Sequence, residues 1–322
     1  MKKNIIIILG EPNSISSEIF LKSLNYIKKI KINFIIIGNY SLLKKQANYL
    51  KSKVTLNFNL AKINNLNNKK FNFIDVNYNQ KKTFDLKYNK SNKFIKNCFK
   101  YAIILLKKKI ASGLINLPIN KSKFTKNKYN GITEYIANKT NNKNKENMLL
   151  FNENFSVLPL TTHIPLKKVY KEISYKKIEK ACKNISNFYL KTLKRRKFKI
   201  GILGLNPHNG ENGYIGTEEK RIIIPAIKKL KKKYTIIGPL SPDTSFLQRE
   251  KLKIDVLIGH YHDQILTTFK TKFDLDAINI TIGLPFIRIS PDHGVGTEII
   301  GKGVANPESF KKAIMFFSKY NV

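Results

Sequence analysis

The sequence predicts an α/β protein built on mainly parallel sheets with helices on both faces. Three observations carry that expectation. Short, almost wholly apolar runs of strand length recur along the chain, helix-period patterns lie between them, and 322 residues suffice for two such domains or one large one.

In chain order, Ile5 to Leu9 reads as the first buried strand. Phe20, Leu24 and Ile27 then repeat at i, i+4 and i+7 behind Ser16-Ser17-Glu18, the pattern of an amphipathic helix with a polar start. Further strands are read at Asn33 to Ile37, Leu114 to Leu117, Lys199 to Leu205, Thr235 to Ile237, Val256 to Ile258 and Ile278 to Ile282, with a similar pattern at 286–290. Asn306-Pro307-Glu308 reads as N-cap, N1 and N2 of a last helix carrying Ala313, Ile314 and Phe317. No internal repeat and no Pro- or Ser-rich linker divides the chain, and the Asn/Lys-rich loop at 138–147 is its softest point.

Composition narrows the class. The longest apolar runs fall far short of the ~20 residues a membrane span requires, so a soluble protein is expected. Met1-Lys2-Lys3 followed by apolar residues imitates a signal peptide, but the run stops at Gly10-Glu11-Pro12 with no small-residue cleavage site, and the segment is read as a strand. Cys98 and Cys182, far apart and unpaired in spacing, fit a reducing cytoplasm and form neither a disulfide framework nor a thiolate metal cluster. The formal net charge of +39 invites a polyanion partner. Lysines nevertheless run through the whole chain, Asn, Ile, Tyr and Phe are heavily used and Gly is sparse, as AT-rich coding would produce, so no specific nucleic-acid partner and no membrane are expected.

Candidate chemistry gathers at predicted strand ends, where α/β sheets place functional residues. His163 closes Leu158-Pro-Leu-Thr-Thr-His163, His208 follows Ile202-Leu-Gly-Leu-Asn-Pro, and His260 and His262 follow Val256-Leu-Ile-Gly259. Imidazoles converging from such ends suit a zinc, cobalt or nickel ion with positions left for substrate or water. Separate histidines, each satisfied by its own hydrogen bond, are the alternative, because no compact motif such as H-E-x-x-H is present. The loop Asn206 to Thr217 carries Gly210, Gly213 and Gly216, which permit positive φ, with Thr217 as a helix cap. Neither a Walker sequence nor G-x-G-x-x-G follows the first strand, so any dinucleotide binds on another architecture. Lys270, Asn279 and Arg288 flank the last strand patterns; arginine is scarce, and one set in Gly283-Leu-Pro-Phe-Ile-Arg288 suits bidentate binding of a phosphate or carboxylate.

Together and in order, several strings resemble the 4-hydroxythreonine-4-phosphate dehydrogenase family of vitamin B6 biosynthesis. They are Gly10-Glu-Pro-Asn-Ser-Ile-Ser-Ser-Glu18, Leu117-Pro-Ile-Asn-Lys121, Gly131-Ile-Thr-Glu134, Thr161-Thr-His-Ile-Pro-Leu166, Gly204-Leu-Asn-Pro-His208, Tyr261-His-Asp-Gln264 and Asn279-Ile-Thr-Ile-Gly-Leu-Pro-Phe-Ile-Arg288. The resemblance implies the isocitrate and isopropylmalate dehydrogenase fold, with two α/β/α domains, residues 1–125 plus 240–322 and residues 126–239, and a homodimer whose subunits share each active site. It implies one divalent cation, zinc, cobalt or magnesium, on His163, His208 and His262, the last given by the partner subunit, and substrate contacts at Thr133, Lys270, Asn279 and Arg288. The implied reaction oxidises the alcohol of 4-phosphooxy-L-threonine with NAD or NADP and loses carbon dioxide to leave 3-amino-2-oxopropyl phosphate. Asp243 and Lys121 are the candidates for removing the alcohol proton.

The chain departs from the family pattern in three places. Ile132 stands where the family has a substrate-holding His, Ser14 and Ser16 replace glycines of the first loop, and His260 takes a non-ligand position as a bystander or supporting group. Ile132 keeps open a related activity on threonate or erythronate 4-phosphate, and the charge keeps open a non-catalytic basic binding protein on the same fold.

Overall fold

The structure, a computed structural model, describes residues 4–67, 69–85, 91–120, 124, 129, 131–273, 276–291 and 294–320. In chain order the elements are β1 (Asn4–Ile8), α1 (Ser16–Lys29), β2 (Asn33–Gly38), α2 (Tyr40–Tyr49), β3 (Asn59–Leu60), β4 (Phe71–Asp75), α3 (Ser91–Lys107), β5 (Ala111–Asn116), α4 (Ile132–Lys139), β6 (Asn147–Asn152) and β7 (Phe155–Pro159). There follow α5 (Val169–Glu172), α6 (Tyr175–Asn187), β8 (Ile200–Leu203), α7 (Ile224–Leu230), β9 (Ile236–Leu240), α8 (Pro242–Gln248), β10 (Val256–Gly259), α9 (His262–Phe273), β11 (Ile278–Ile282), β12 (Ile287–Pro291) and α10 (Glu308–Tyr320). They form two compact units, Met1–Lys143 with Pro285–Val322, and Asn144–Leu284.

The first unit holds a parallel sheet in the order β3-β4-β2-β1-β5-β12. Ile5 to Ile8 and Phe34 to Ile37 are fully buried, the continuous apolar signature of strands covered on both faces. The crossovers through α1, from β1 to β2, and α3, from β4 to β5, run in opposite directions across the sheet, so right-handed connection puts these helices on opposite faces. Helix α10 begins as read: Glu308 N donates to Asn306 Oδ1 (2.9 Å), and Ala313, Ile314 and Phe317 are buried. Gly113 in β5 is the seat of the Phe317 ring, since a Cβ there would stand 2.2 Å from Phe317 Cε1. In the first loop, neither Ser14 nor Ser16 adopts positive φ. Their hydroxyls tie the turn instead, Ser14 Oγ donating to Glu11 O (2.6 Å) and Ser16 Oγ to Pro118 O (3.2 Å).

The second unit carries a mixed sheet, β11-β6-β7-β10-β8-β9. β11–β6 and β6–β7 pair antiparallel, whereas β7, β10, β8 and β9 run parallel. Its core joins Phe155, Val157, Leu203, Leu257, Leu266 and Phe269.

The expected cuts at 125/126 and 239/240 are not those of the compact units, which divide at 143/144, inside the Asn/Lys loop, and at 284/285. The reason is pairing: β10 bonds to β7 and β8, and β11 to β6, which fixes residues 256–282 in the second unit. β3, β4, β6 and β7 are strands the sequence reading did not mark. Asn72 of β4 is buried and hydrogen-bonded to Asn67 O (3.0 Å), so an asparagine that looks like a loop marker lies inside. Among the described residues no helix is long and apolar enough to cross a membrane.

Candidate metal and substrate site

Parallel pairing in the second unit aligns the carboxyl ends of β7, β10, β8 and β9 along one sheet edge, and the chemical candidates follow in that order. His163 lies just beyond β7, His262 opens α9 behind β10, His208 lies beyond β8, and Asp243 sits in the first turn of α8 behind β9. The His163 and His262 rings are 5.8 Å apart between centroids. Two imidazoles at about 2.1 Å from one cation place their centroids about 5 to 6 Å apart, so this pair stands at ligand spacing. His262, which the resemblance gives to the partner's site, is thus beside His163 of its own chain.

Two of the three histidines have a carboxylate behind them. His262 Nδ1 lies 2.7 Å from Asp263 Oδ1, and His208 Nδ1 lies 2.8 Å from Glu211 Oε1. A carboxylate accepts but does not donate, so each Nδ1 carries a proton, which in the neutral ring leaves the lone pair on Nε2, the tautomer also found in metal-ligating histidines. Glu211 raises the His208 pKa, first by this hydrogen bond and then by its charge, and Asp243 adds to the effect. Asp243 in turn is held below the ordinary carboxylate range by a hydrogen bond from Ser241 and, to a smaller degree, by His208. His208 therefore leans electrostatically toward the β9 end. Among the described residues no three His, Cys, Asp or Glu side chains converge closely enough to hold a metal ion, so the fit is that of a partial ligand set.

Strain holds the His208 loop. Five successive residues, His208 (φ 50°), Asn209 (57°), Gly210 (76°), Glu211 (39°) and Asn212 (57°), are left-handed, at a cost of about 1 to 2 kcal/mol for each non-glycine residue. Glu219 offsets that cost. Its buried carboxylate accepts from Leu205 N (2.7 Å), Asn206 N (2.8 Å) and Asn206 Nδ2 (3.0 Å). Burial works to raise its pKa, but the hydrogen bonds from Asn206 and the neighbouring backbone outweigh it and keep the group ionised. His260, expected as a bystander or supporting group, is a clamp between strand ends. It is fully buried, its Nε2 donates to Leu203 O (2.7 Å), its carbonyl accepts from Thr161 Oγ1 (2.7 Å), and burial pushes its pKa down to about 4.

Asn279 lies on β11 with a buried Oδ1 that has no hydrogen-bond partner, an acceptor left for a ligand. Lys270 is exposed, eight residues or about 12 Å along α9 from His262. Lys121 lies outside the described residues.

Ile132, Thr133 and Arg288 belong to the first unit. Arg288 is buried in β12, with Nε donating to Asn116 Oδ1 (2.8 Å) and Nη1 to Thr133 Oγ1 (3.2 Å). Burial lowers its pKa to about 10, partly countered by Glu134, so it remains a cation at neutral pH. This is a guanidinium pre-set in one orientation. Ile132 is 5% exposed at the start of α4 and offers that helix end only hydrocarbon.

Sequence reasoning did not find Glu211, Asp263, Glu219 or Asn116. Asp263 was signalled by its place next to His262, and Glu211 by its spacing of three from His208. Glu219 and Asn116 act through contacts 13 and 172 residues away and left no local mark.

The family model for pyridoxal phosphate biosynthetic protein PdxA matches residues 30–317. A 4-hydroxythreonine-4-phosphate dehydrogenase of Sulfurihydrogenibium sp. (strain YO3AOP1) is 37% identical over 320 residues, 96% of this chain and 95% of that protein. A D-threonate 4-phosphate dehydrogenase of Salmonella typhimurium is 32% identical over 331 residues, 97% of each. The crystal structure of a 4-hydroxythreonine-4-phosphate dehydrogenase from Klebsiella pneumoniae superposes with a TM-score of 0.84 at 29% identity, covering 99% of this chain and 98% of that one. Isocitrate dehydrogenase from Methylococcus capsulatus, 11% identical with a TM-score of 0.50 over 98% of this chain and 85% of its own, is alike in fold alone.

Proposed function

The chain belongs to the pyridoxal phosphate biosynthetic protein PdxA family, and from that premise we propose that it is an oxidoreductase acting on 4-phosphooxy-L-threonine with a nicotinamide cofactor, NAD or NADP, in the cytoplasm. Hydride leaves the alcohol carbon for the nicotinamide ring, and the hydroxyl proton leaves to a base. The β-keto acid then loses carbon dioxide, giving 3-amino-2-oxopropyl phosphate. The observation that carries the reading is the imidazole pair of His163 and His262 at ligand spacing, with Asp263 behind the second ring.

His163, His208 and His262 would hold one divalent cation, zinc, cobalt or magnesium, which when bound supplies Lewis-acid polarisation of the reacting oxygen. The chain's own groups do the rest. Arg288, braced by Asn116 and Thr133, is a fixed cation for the phosphate or carboxylate, with Lys270 as a point charge and Asn279 Oδ1 as an acceptor for the substrate's ammonium or hydroxyl. Asp243, with its depressed pKa, is ionised at neutral pH and able to take the alcohol proton, with Lys121 the other candidate. We propose a homodimer as the source of the full ligand set: each chain offers the His163–His262 pair and, separately, His208 near the charge of Asp243, and a two-fold operation would let one chain's pair meet the other's third ligand.

A second reading keeps the chemistry and changes the substrate to D-threonate 4-phosphate, favoured by the buried aliphatic Ile132 and the 32% identical relative. Purified full-length chain assayed on both substrates, with each nicotinamide cofactor, separates them. The first reading expects reduction with the hydroxythreonine phosphate, loss on chelation and recovery with zinc, cobalt or magnesium. Turnover of the sugar acid alone supports the second, and activity indifferent to chelation overturns the metal assignment.

A further inference from the structure

The net charge of +39 is spread along the sequence, but the fold concentrates part of it. In the second unit the turns that feed the amino ends of β8, β10 and β9 read Lys191-Thr-Leu-Lys-Arg-Arg-Lys-Phe-Lys199, Arg249-Glu-Lys-Leu-Lys-Ile-Asp255 and Lys228-Lys-Leu-Lys-Lys-Lys-Tyr-Thr235. Fourteen of these 24 residues are Lys or Arg, against 60 of 322 in the chain, and only two, Glu250 and Asp255, are acidic. Coding bias accounts for lysine and not for arginine, yet three of the five arginines, Arg195, Arg196 and Arg249, stand here.

The three turns are one surface. Asp255 N donates to Lys199 O (3.0 Å), Lys199 Nζ to Leu252 O (2.9 Å), and Ile200 N to Thr235 O (2.9 Å). Arg195 pairs with Asp255 at 2.6 Å, which neutralises one charge of each sign and leaves Arg196, Lys197, Lys231, Lys232, Lys233 and Lys251 exposed on the same edge. β8, β10 and β9 are parallel, so this edge is opposite the one that carries His163, His208 and His262. It is therefore no part of the proposed catalytic site.

We propose that this edge docks the phosphate backbone of a nucleic acid, reading charge and not sequence. A row of flexible lysines with interspersed arginines along adjacent strand ends suits a repeating polyanion. Phe198 does not stand free for base stacking, since its ring packs at 4.8 Å from that of buried Tyr189, which leaves the half-buried Tyr234 as the one other aromatic side chain of the three turns. A membrane surface is the poorer fit, because the exposed large apolar side chains lie outside these turns, with only Leu190 and Leu247 at their borders.

The test uses full-length protein and a labelled, mixed-sequence single-stranded RNA, titrated at several salt concentrations. The triple variant Arg196→Glu, Lys232→Glu, Lys251→Glu removes exposed charges from the edge, and Lys29→Glu, Lys31→Glu, Lys45→Glu makes the same change in net charge on the first unit. Binding by the edge variant falls at least tenfold below both wild type and control, and the slope of log affinity against log salt shrinks by about 2 as three phosphate contacts vanish. Equal weakening in the two variants, no binding by wild type at about 150 mM salt, or binding to phosphatidylserine vesicles without binding to RNA each overturns the proposal. Dehydrogenase turnover and thermal melting of both variants, unchanged from wild type, establish that the folds are intact.

Discussion

His260 makes the stability of this protein depend on pH in a calculable way. The imidazole is fully buried, gives its one N–H to Leu203 O, and is neutral in the fold because burial lowers its pKa from 6.5 to about 4. The unfolded chain gains a proton near pH 6.5 that the folded chain refuses until about pH 4. The stability due to neutral His260 is therefore fully present above the unfolded pKa and drains away as pH falls toward the folded one. At 1.36 kcal/mol per pKa unit the whole loss is about 3 kcal/mol, of which about 2 kcal/mol is gone between pH 7 and pH 5. His260→Gln retains an N–H in reach of Leu203 O and does not titrate. Equilibrium urea unfolding by circular dichroism at the two pH values isolates the term, since other titrations are common to both proteins. The wild type is expected to lose about 2 kcal/mol more than the variant; parallel losses, or a steeper loss in the variant, refute the assignment of a buried neutral imidazole.

Glu219→Ala strips the acceptor from two backbone N–H groups and frees the left-handed His208 loop, which is expected to cost about 2 to 5 kcal/mol in unfolding free energy and to weaken metal binding measured by titration calorimetry. Arg288→Lys retains charge but loses the fork held by Asn116 and Thr133, so KM for the phosphorylated substrate should rise about 10- to 100-fold; an unchanged KM removes Arg288 from the substrate site. Ile132→His puts a polar ring at a buried helix start, lowering stability by about 1 to 3 kcal/mol as read from thermal melting. If the missing hydrogen bond is what distinguishes this chain from its relatives, the same variant gains about tenfold in kcat/KM on 4-phosphooxy-L-threonine, and a folded variant with no gain places the specificity elsewhere.

Every strand read from the sequence, β1, β2, β5, β8, β9, β10, β11 and β12, appears within a few residues of where it was read, and most of these are runs whose burial on both faces demands a largely apolar segment. β3, β4, β6 and β7 were not; in β4 and β6 asparagine, elsewhere in this chain a loop residue, is a buried strand residue satisfied by hydrogen bonds, to Asn67 O for Asn72 and from Asn184 for Asn147. Which sheet a buried strand joins is also invisible locally. Nothing within β10 or β11 marks them apart from β12 of the other unit, and only their pairing with β6, β7 and β8 assigns them to the second unit. Arg288 could be singled out because arginine is rare here, whereas Asn116, which orients it, is one asparagine among many.

The candidate site was legible as a set of strand-end histidines but not as a geometry, and strand order explains the difference. Along the edge the sequence is β7, β10, β8, β9, so His262 has His163 on one side and His208 on the other. With strands about 4.8 Å apart, three ends in a row do not bring three side chains to one point unless the outer loops bend inward. His163 does so and reaches ligand spacing with His262. The left-handed run after Asn206, locked by Glu219, instead turns His208 toward Glu211 and the charge of Asp243. For the cation proposed above, a chain built this way offers a histidine pair and, apart from it, a single histidine near the charge of an acid. Two copies related by a two-fold axis would be the smallest assembly in which that pair could meet the third histidine, and they would do so twice, so the metal affinity of the monomer obtained by dilution, compared with that of the concentrated protein, decides whether the third ligand comes from a second chain.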